Sequence, residues 1–181
     1  MRRFALLIAS TIVLAGCGGP ESADVDGDGE ITMEEAAERS KDMAKPDPGQ
    51  YRSTTEMVEL NMPGAPQEVR DMMRGMLDQG AQSREFCLTP EQAEEGFAEM
   101  IKKSQIQDSC SFEKFDADSG TIDAVMICNQ PGQGEGRMTM QGTGDSTSSD
   151  MRMTMEIQTP DGQEMNMVMR TQSERIGDCP G

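Results

Sequence analysis

From residue 24 to residue 35 the chain reads Asp24-Val25-Asp26-Gly27-Asp28-Gly29-Glu30-Ile31-Thr32-Met33-Glu34-Glu35. Oxygen donors recur at alternate positions and a carboxylate ends the stretch. This is the spacing of an EF-hand calcium loop. Asp24, Asp26 and Asp28 offer side-chain oxygens at loop positions one, three and five, and Gly29 makes the sharp turn. Glu30 offers its carbonyl, and Glu35 stands where a bidentate carboxylate belongs. Ile31 holds the position through which two such loops normally pair. No second loop occurs in the chain, and the short stretch before Asp24 contains two Gly and a Pro, which is no entering helix. Half an EF-hand is expected to bind calcium weakly, at about 10⁻⁴ to 10⁻³ M, the range of extracellular modules. The bland alternative is an acidic, solvated tether.

The second chemical group is a thiol. Arg2 and Arg3 precede an apolar run from Phe4 to Leu14, and Leu14-Ala15-Gly16-Cys17 closes it with small residues before a cysteine. These are the parts of a lipoprotein signal peptide, expected over residues 1–16, with Cys17 as the acylated first residue of the mature chain. The run is too short to span a bilayer. Gly18 follows Cys17 in place of the Asp associated with inner-membrane retention. The expected location is therefore lipid-anchored and periplasm-facing, on the outer membrane.

Four cysteines remain: Cys87, Cys110, Cys128 and Cys179. In an oxidising compartment an even set reads as two disulfides. Cys110 and Cys128 flank Asp118-Ser119-Gly120, a turn cluster. A hairpin centred on Ser119 sets the two thiols directly opposite, where Cα atoms of a non-hydrogen-bonded pair approach to about 4.5 Å. Cys87 is then left to bond Cys179. Cys87 also precedes a helix start, a place that can activate a thiol, but three other cysteines and the lack of His favour the disulfide.

The formal charge of −17 falls to −19 once Arg2 and Arg3 leave with the signal. Such a surface repels phosphate-rich polymers, so nucleic acid is excluded as a partner. The chain has no His and no Trp, aromatics make up 3 %, and Met occurs 18 times. Flexible thioethers must fill space that rings usually fill. With no His, no Gly-x-Ser-x-Gly elbow and no phosphate-cradling loop, an enzyme is not expected.

The elements that must position these groups can be read from period and punctuation. The loop's exiting helix is expected from Glu34 to about Lys45, where Pro46 and Pro48 stop it. Tyr51 to Met62 reads as a strand with Tyr51, Ser53, Thr55, Met57 and Glu59 on one face. Val69, Met72, Met73, Met76 and Leu77 then recur at helical spacing, a stripe expected to pack in the core. Arg84 to Leu88 looks extended. Thr89-Pro90-Glu91-Gln92 opens a second helix with a capping box, and Phe97, Met100 and Ile101 form its buried side.

Beyond Gln130 three segments carry Met at every second residue: Met138 and Met140; Met151, Met153 and Met155; Met165, Met167 and Met169. Thr159-Pro160-Asp161-Gly162 joins the last two as a turn with a bulge. It sets Ile157 opposite Met165, Met155 opposite Met167 and Met153 opposite Met169. Period two places all of them on one face, with Arg152, Thr154, Glu156, Asn166, Val168 and Arg170 on the other. The face is expected to be core-packed. The alternative is a binding module for an apolar ligand or for Cu(I), which thioethers suit.

The assembled pattern resembles a bacterial family, the domain of unknown function 3617. The residues that carry the resemblance are Pro48-Gly49-Gln50-Tyr51, Met62-Pro63-Gly64, Cys87-Leu88-Thr89-Pro90-Glu91, the pair Cys110 and Cys128, and Arg175-Ile176-Gly177-Asp178-Cys179. Tyr51 stands where a Trp is common. The resemblance implies a secreted or lipid-anchored protein and brings no activity, cofactor or catalytic residue.

The expected architecture is α+β. A curved antiparallel sheet of about five to six strands, a meander stapled by two disulfides, occupies residues 48–181, with two helices inserted between its first strand and its disulfide hairpin. Residues 17–47 form a flexible tether that carries the calcium loop (24–35) and a short helix. The expected partners are the membrane, through lipid on Cys17, and a protein or component of the envelope.

Overall fold

The structure, a computed structural model, describes residues 23–103, 109–118, 120–130, 134–160 and 162–180. Cys17 and the expected signal peptide lie outside the described residues, as do Ser119 and Asp161 at two turns. Seven antiparallel strands form one open, curved sheet: β1 (Gly49–Asn61), β2 (Gln82–Leu88), β3 (Cys110–Asp118), β4 (Thr121–Gln130), β5 (Gly134–Gly144), β6 (Ser148–Gln158) and β7 (Glu164–Gly177). The helices are α1 (Met33–Arg39), α2 (Gln67–Leu77) and α3 (Pro90–Lys103), so α2 and α3 are inserted where expected. Spatial order is β2-β1-β7-β6-β5-β4-β3. Strands β3 to β7 are a meander, and β1 closes on β7. The path from β2 through α3 therefore crosses from one sheet edge to the other.

The seventh strand is β2, whose first six residues are exposed. Arg84 to Leu88 is extended as expected, but an edge strand without a buried face has no period that would count it into the sheet. Register elsewhere follows local turn chemistry. Thr159 N–H donates to Gln163 O, Gly162 N–H to Thr159 O, and Gly162 takes φ +80°, so the β6–β7 pairs fall as expected from Gln158↔Glu164 to Ser148↔Glu174. The β3–β4 hairpin reaches its expected pairing by another route. Asp118 pairs with Thr121 across a two-residue turn, and a bulge between Phe112 and Lys114 takes up the one-residue difference, restoring Cys110↔Cys128. A second bulge, between Met57 and Glu59, overturns one expectation. Glu59 pairs with Val168 on the polar face, and Leu60 replaces it beside Met167.

The helices differ from expectation in two ways. In α2, Met73 is buried and Val69 and Leu77 are half-buried, a seam at i, i+4 and i+8 against β1, while Met72 and Met76 are 58 % and 42 % exposed. A helix that packs against one neighbouring strand needs only one seam. The helix after the acidic loop is shorter than expected, ending at Arg39 with a 3₁₀ turn over Ser40–Asp42. It is also no free tether. Ala36 and Ala37 are fully buried, and with Ala23, Ile31 and Met33 they join Phe112, Phe115, Ala117, Ile122, Ala124, Met126 and Met140 in one core. Two alanines on the inner face let α1 lie close to the sheet, and apolar burial holds it there. Thr89 and Gln92 form the expected reciprocal cap on α3, Thr89 N–H donating to Gln92 Oε1 and Gln92 N–H to Thr89 Oγ1. The side chains of Phe97, Met100 and Ile101 lie outside the described residues.

Candidate metal centre

The acidic loop is folded by its own backbone. Asp24 accepts from the N–H groups of Gly27 (2.7 Å) and Gly29 (3.0 Å), Asp26 from Asp28 N–H (3.2 Å), and Asp28 from Glu30 N–H (2.9 Å). These Asx turns need positive φ at two places, Gly27 (+74°) and Gly29 (+92°), which only glycine adopts without strain. The second is the sharp turn expected from the loop spacing. The first, at Gly27, is not a position the motif reading assigns.

One carboxylate oxygen from each of Asp24, Asp26 and Asp28 lies within 4.8 Å of the others. Oxygens bound to one calcium at 2.3–2.6 Å are at most about 5 Å apart, a limit that the three meet. Glu30 and Glu35 are not part of that group. Glu30 contributes an exposed side chain. Glu35 reaches back across the loop, and its Oε1 accepts from Val25 N–H (3.0 Å). Its Oε2 is held by Thr32 N–H (2.8 Å) and the Thr32 hydroxyl (2.9 Å), while Glu35 N–H donates to Thr32 Oγ1 (3.2 Å). The capping box of α1 thus uses the carboxylate that the calcium motif assigns to its last position. Those Thr32 bonds, with the Val25 N–H, hold Glu35 below its ordinary carboxylate range. Bidentate binding would require Glu35 to exchange Thr32 for the ion.

Ile31 is where the loop meets the domain. Its N–H donates to Phe112 O (3.0 Å) and Phe112 N–H donates to Ile31 O (2.7 Å), an antiparallel bridge to the edge strand β3. The position that pairs two EF loops is here paired with a strand of the sheet.

The methionines form rungs across the sheet. Met126, Met138, Met155 and Met167 stand side by side on β4, β5, β6 and β7, and Leu60 of β1 follows. The neighbouring rung is Ala124, Met140, Met153, Met169 and Met57. Met140 is buried, whereas Met138, Met151, Met153, Met155, Met165, Met167 and Met169 are half-buried. Gly142 opposes Met151, and a Cβ there would overlap the thioether sulfur and crowd Asp150 O. Met138, Met155 and Ile157 line a small cleft of about 200 Å³ with Cys128 and Gly136, below the usual 300 to 1,000 Å³ of ligand pockets. Past the methionines the face turns polar, with Thr55 and Thr171 hydroxyls 3.2 Å apart and Ser173 donating to Ser53 (3.1 Å).

A third cluster lies at the β1–β2–β7 corner. Gln50 pairs with both Cys87 and Gly177, and Tyr51 pairs with Phe86 and Arg175. The Tyr51 and Phe86 rings stack at 5.8 Å. The Tyr51 hydroxyl lies 2.8 Å from Asp47 O and 3.0 Å from Ser146 O, and burial raises its pKa above the ordinary value. Arg175 Nε donates to Pro48 O (3.0 Å). Gly49 has φ +153°, and a Cβ there would overlap Arg175 and Gly177 O. Disulfides join Cys87 to Cys179 and Cys110 to Cys128, with Cα separations of 5.4 and 4.1 Å.

Residues 46–179 match the family described as Protein of unknown function (DUF3617). The chain belongs to this family. Comparison with curated proteins and with solved structures gives no match. The matched span begins after the acidic loop and α1, although both touch the sheet that it encodes. The segments that carried the family resemblance, Pro48 to Tyr51, Cys87 to Glu91 and Arg175 to Cys179, largely converge on the one corner just described. Their roles there are a tight backbone approach, a ring stack, a guanidinium on a carbonyl and a disulfide, all of which fasten chain to chain.

Proposed function

We propose that this is a non-enzymatic, lipid-anchored protein of the periplasm, facing it from the outer membrane. Its acidic loop binds calcium and its sheet domain contacts a partner or envelope component. The observation that carries the calcium reading is the gathering of Asp24, Asp26 and Asp28 oxygens within 4.8 Å inside a loop of EF-hand sequence. Acylation of Cys17 rests on Leu14-Ala15-Gly16-Cys17 at the end of the apolar run. The non-enzymatic reading draws support from the chemistry present. The chain has no His, its four remaining cysteines are paired, and among the described residues every carboxyl group with a resolved pKa shift is moved downward. A general acid needs the opposite shift.

Isothermal titration of the mature protein with calcium chloride tests the reading. Binding is expected with a dissociation constant of about 10⁻⁴ to 10⁻³ M. Asp26→Ala and Asp28→Ala, which remove a ligand oxygen each and leave the capping box of α1 in place, should abolish it. No heat at millimolar calcium, or the same heat in both variants, overturns it. The second reading is a binding module for an apolar ligand or Cu(I). The half-buried methionine rungs favour it, and competition with a Cu(I) chelator tests the metal version: failure to withdraw copper ends it.

A further inference from the structure

We infer that the β3 edge of the sheet, with the acidic loop, is the membrane-facing surface, and that the β2 edge points away from the bilayer. This inference rests on the proposed acylation of Cys17. It starts from Ala23, which is 7 % exposed and already belongs to the core with Ile31, Ala36 and Phe112. The chain is therefore part of the folded domain from Ala23 onward. From Cys17 to Ala23 is six residue steps, which reach at most about 22 Å even fully extended. A tether running to residue 47 would reach about 100 Å on the same basis.

The short leash starts at one edge. Ala23 and Ile31 pack by β3, the last strand in the order, and β2 is the first. Six strand spacings separate the two edges, about 29 Å. The bilayer carrying the protein's own acyl chains is thus the occupant that the chain length assigns to the loop side. Val25, 78 % exposed, is the apolar residue there, among the carboxylates of Asp24, Asp26 and Asp28. Charge alone would not bring the loop to lipid phosphates, since the chain without Arg2 and Arg3 carries −19. The leash supplies the proximity.

The absence of Trp makes the test clean. The acylated full-length product is made as Val25→Trp and as Arg84→Trp, the second on the exposed β2 edge. Each is reconstituted into phosphatidylcholine vesicles containing a dansyl-labelled phosphatidylethanolamine, in the presence of a chelator so that no metal is involved. Mass spectrometry of the N-terminal peptide reports acylation. Energy transfer from the single indole of Val25→Trp is expected to exceed that from the single indole of Arg84→Trp several-fold. Inserting twenty Gly and Ser residues after Gly19 adds a root-mean-square reach of about 25 Å and should bring the two signals together. Equal transfer from both sites in acylated protein overturns the inference, as does an insertion that leaves the ratio unchanged. An unmodified Cys17 refutes the anchoring and this inference with it, a result distinct from equal transfer.

Discussion

Substituting Ile31 by Ala asks whether the acidic loop and α1 belong to the folding unit of the sheet. Ile31 is 7 % exposed and packs with Phe112, itself 2 % exposed. The substitution removes three carbons at about 0.8 kcal/mol each, and incomplete collapse of the cavity brings the loss to about 3 kcal/mol. The two backbone hydrogen bonds to Phe112 survive, because Ala keeps both groups. With a urea m-value of about 2 kcal/mol/M, the midpoint should fall by about 1.5 M. The chain holds a single Tyr and no Trp, so tyrosine fluorescence reports Tyr51 alone, on β1. That strand is five spacings from β3, about 24 Å. A probe so remote moves only if loop, α1 and sheet unfold together. Val25→Ala, at a 78 % exposed site, should stay within about 0.5 kcal/mol of wild type. A Tyr51 midpoint that shifts by less than about 0.25 M in Ile31→Ala, with m unchanged, would refute the reasoning, because the loop would then melt independently of the sheet.

Gly142→Ala should lower stability by about 1 to 3 kcal/mol in the same urea assay, since the new methyl overlaps Met151 and Asp150 O; a neutral result denies the close approach. Removing Cys87–Cys179 by paired Ser substitutions should cost about 4 to 5 kcal/mol, and removing Cys110–Cys128 about 3, because the first closes 92 residues and the second 18. The reverse order in urea midpoints contradicts the chain-entropy account. Glu35 gives a pH dependence whose sign follows from its depressed folded-state pKa. Its contribution is fully present above the unfolded value of about 4.3 and is lost as pH falls through the lower folded value. Amide protection at Val25 and Thr32, corrected for intrinsic exchange, should therefore persist down to about pH 4.3 and drop below it in wild type, and change little in Glu35→Gln; equal pH responses would count against it.

What can be read along the chain is whatever its own neighbours decide. Thr159 to Gly162 sets the β6–β7 register because a short turn allows few geometries, and alternating Met then names the inner face. Thr89 and Gln92 mark a helix start through bonds three residues apart. The acidic loop likewise folds through hydrogen bonds that span at most five residues among Asp24 to Glu30. Pairing at distance has no such local signature. The bulges at Val58 and Glu113 depend on what the partner strand offers, so period two alone puts Glu59 on the wrong face. The Cys110–Cys128 bond follows from the hairpin even though its turn centre lies half a residue from Ser119.

β2 has no buried face to give it a period. Met72 and Met76 share the spacing of Met73, yet only the position of β1 decides which is covered. Most consequentially, nothing near Ile31 or Ala36 in the chain says that Phe112 waits at the sheet edge. The loop's ligand spacing belongs to the sequence by itself. Its attachment to β3 exists only in three dimensions, because burial of Ile31, Ala36 and Ala37 needs a surface supplied by strands some eighty residues away.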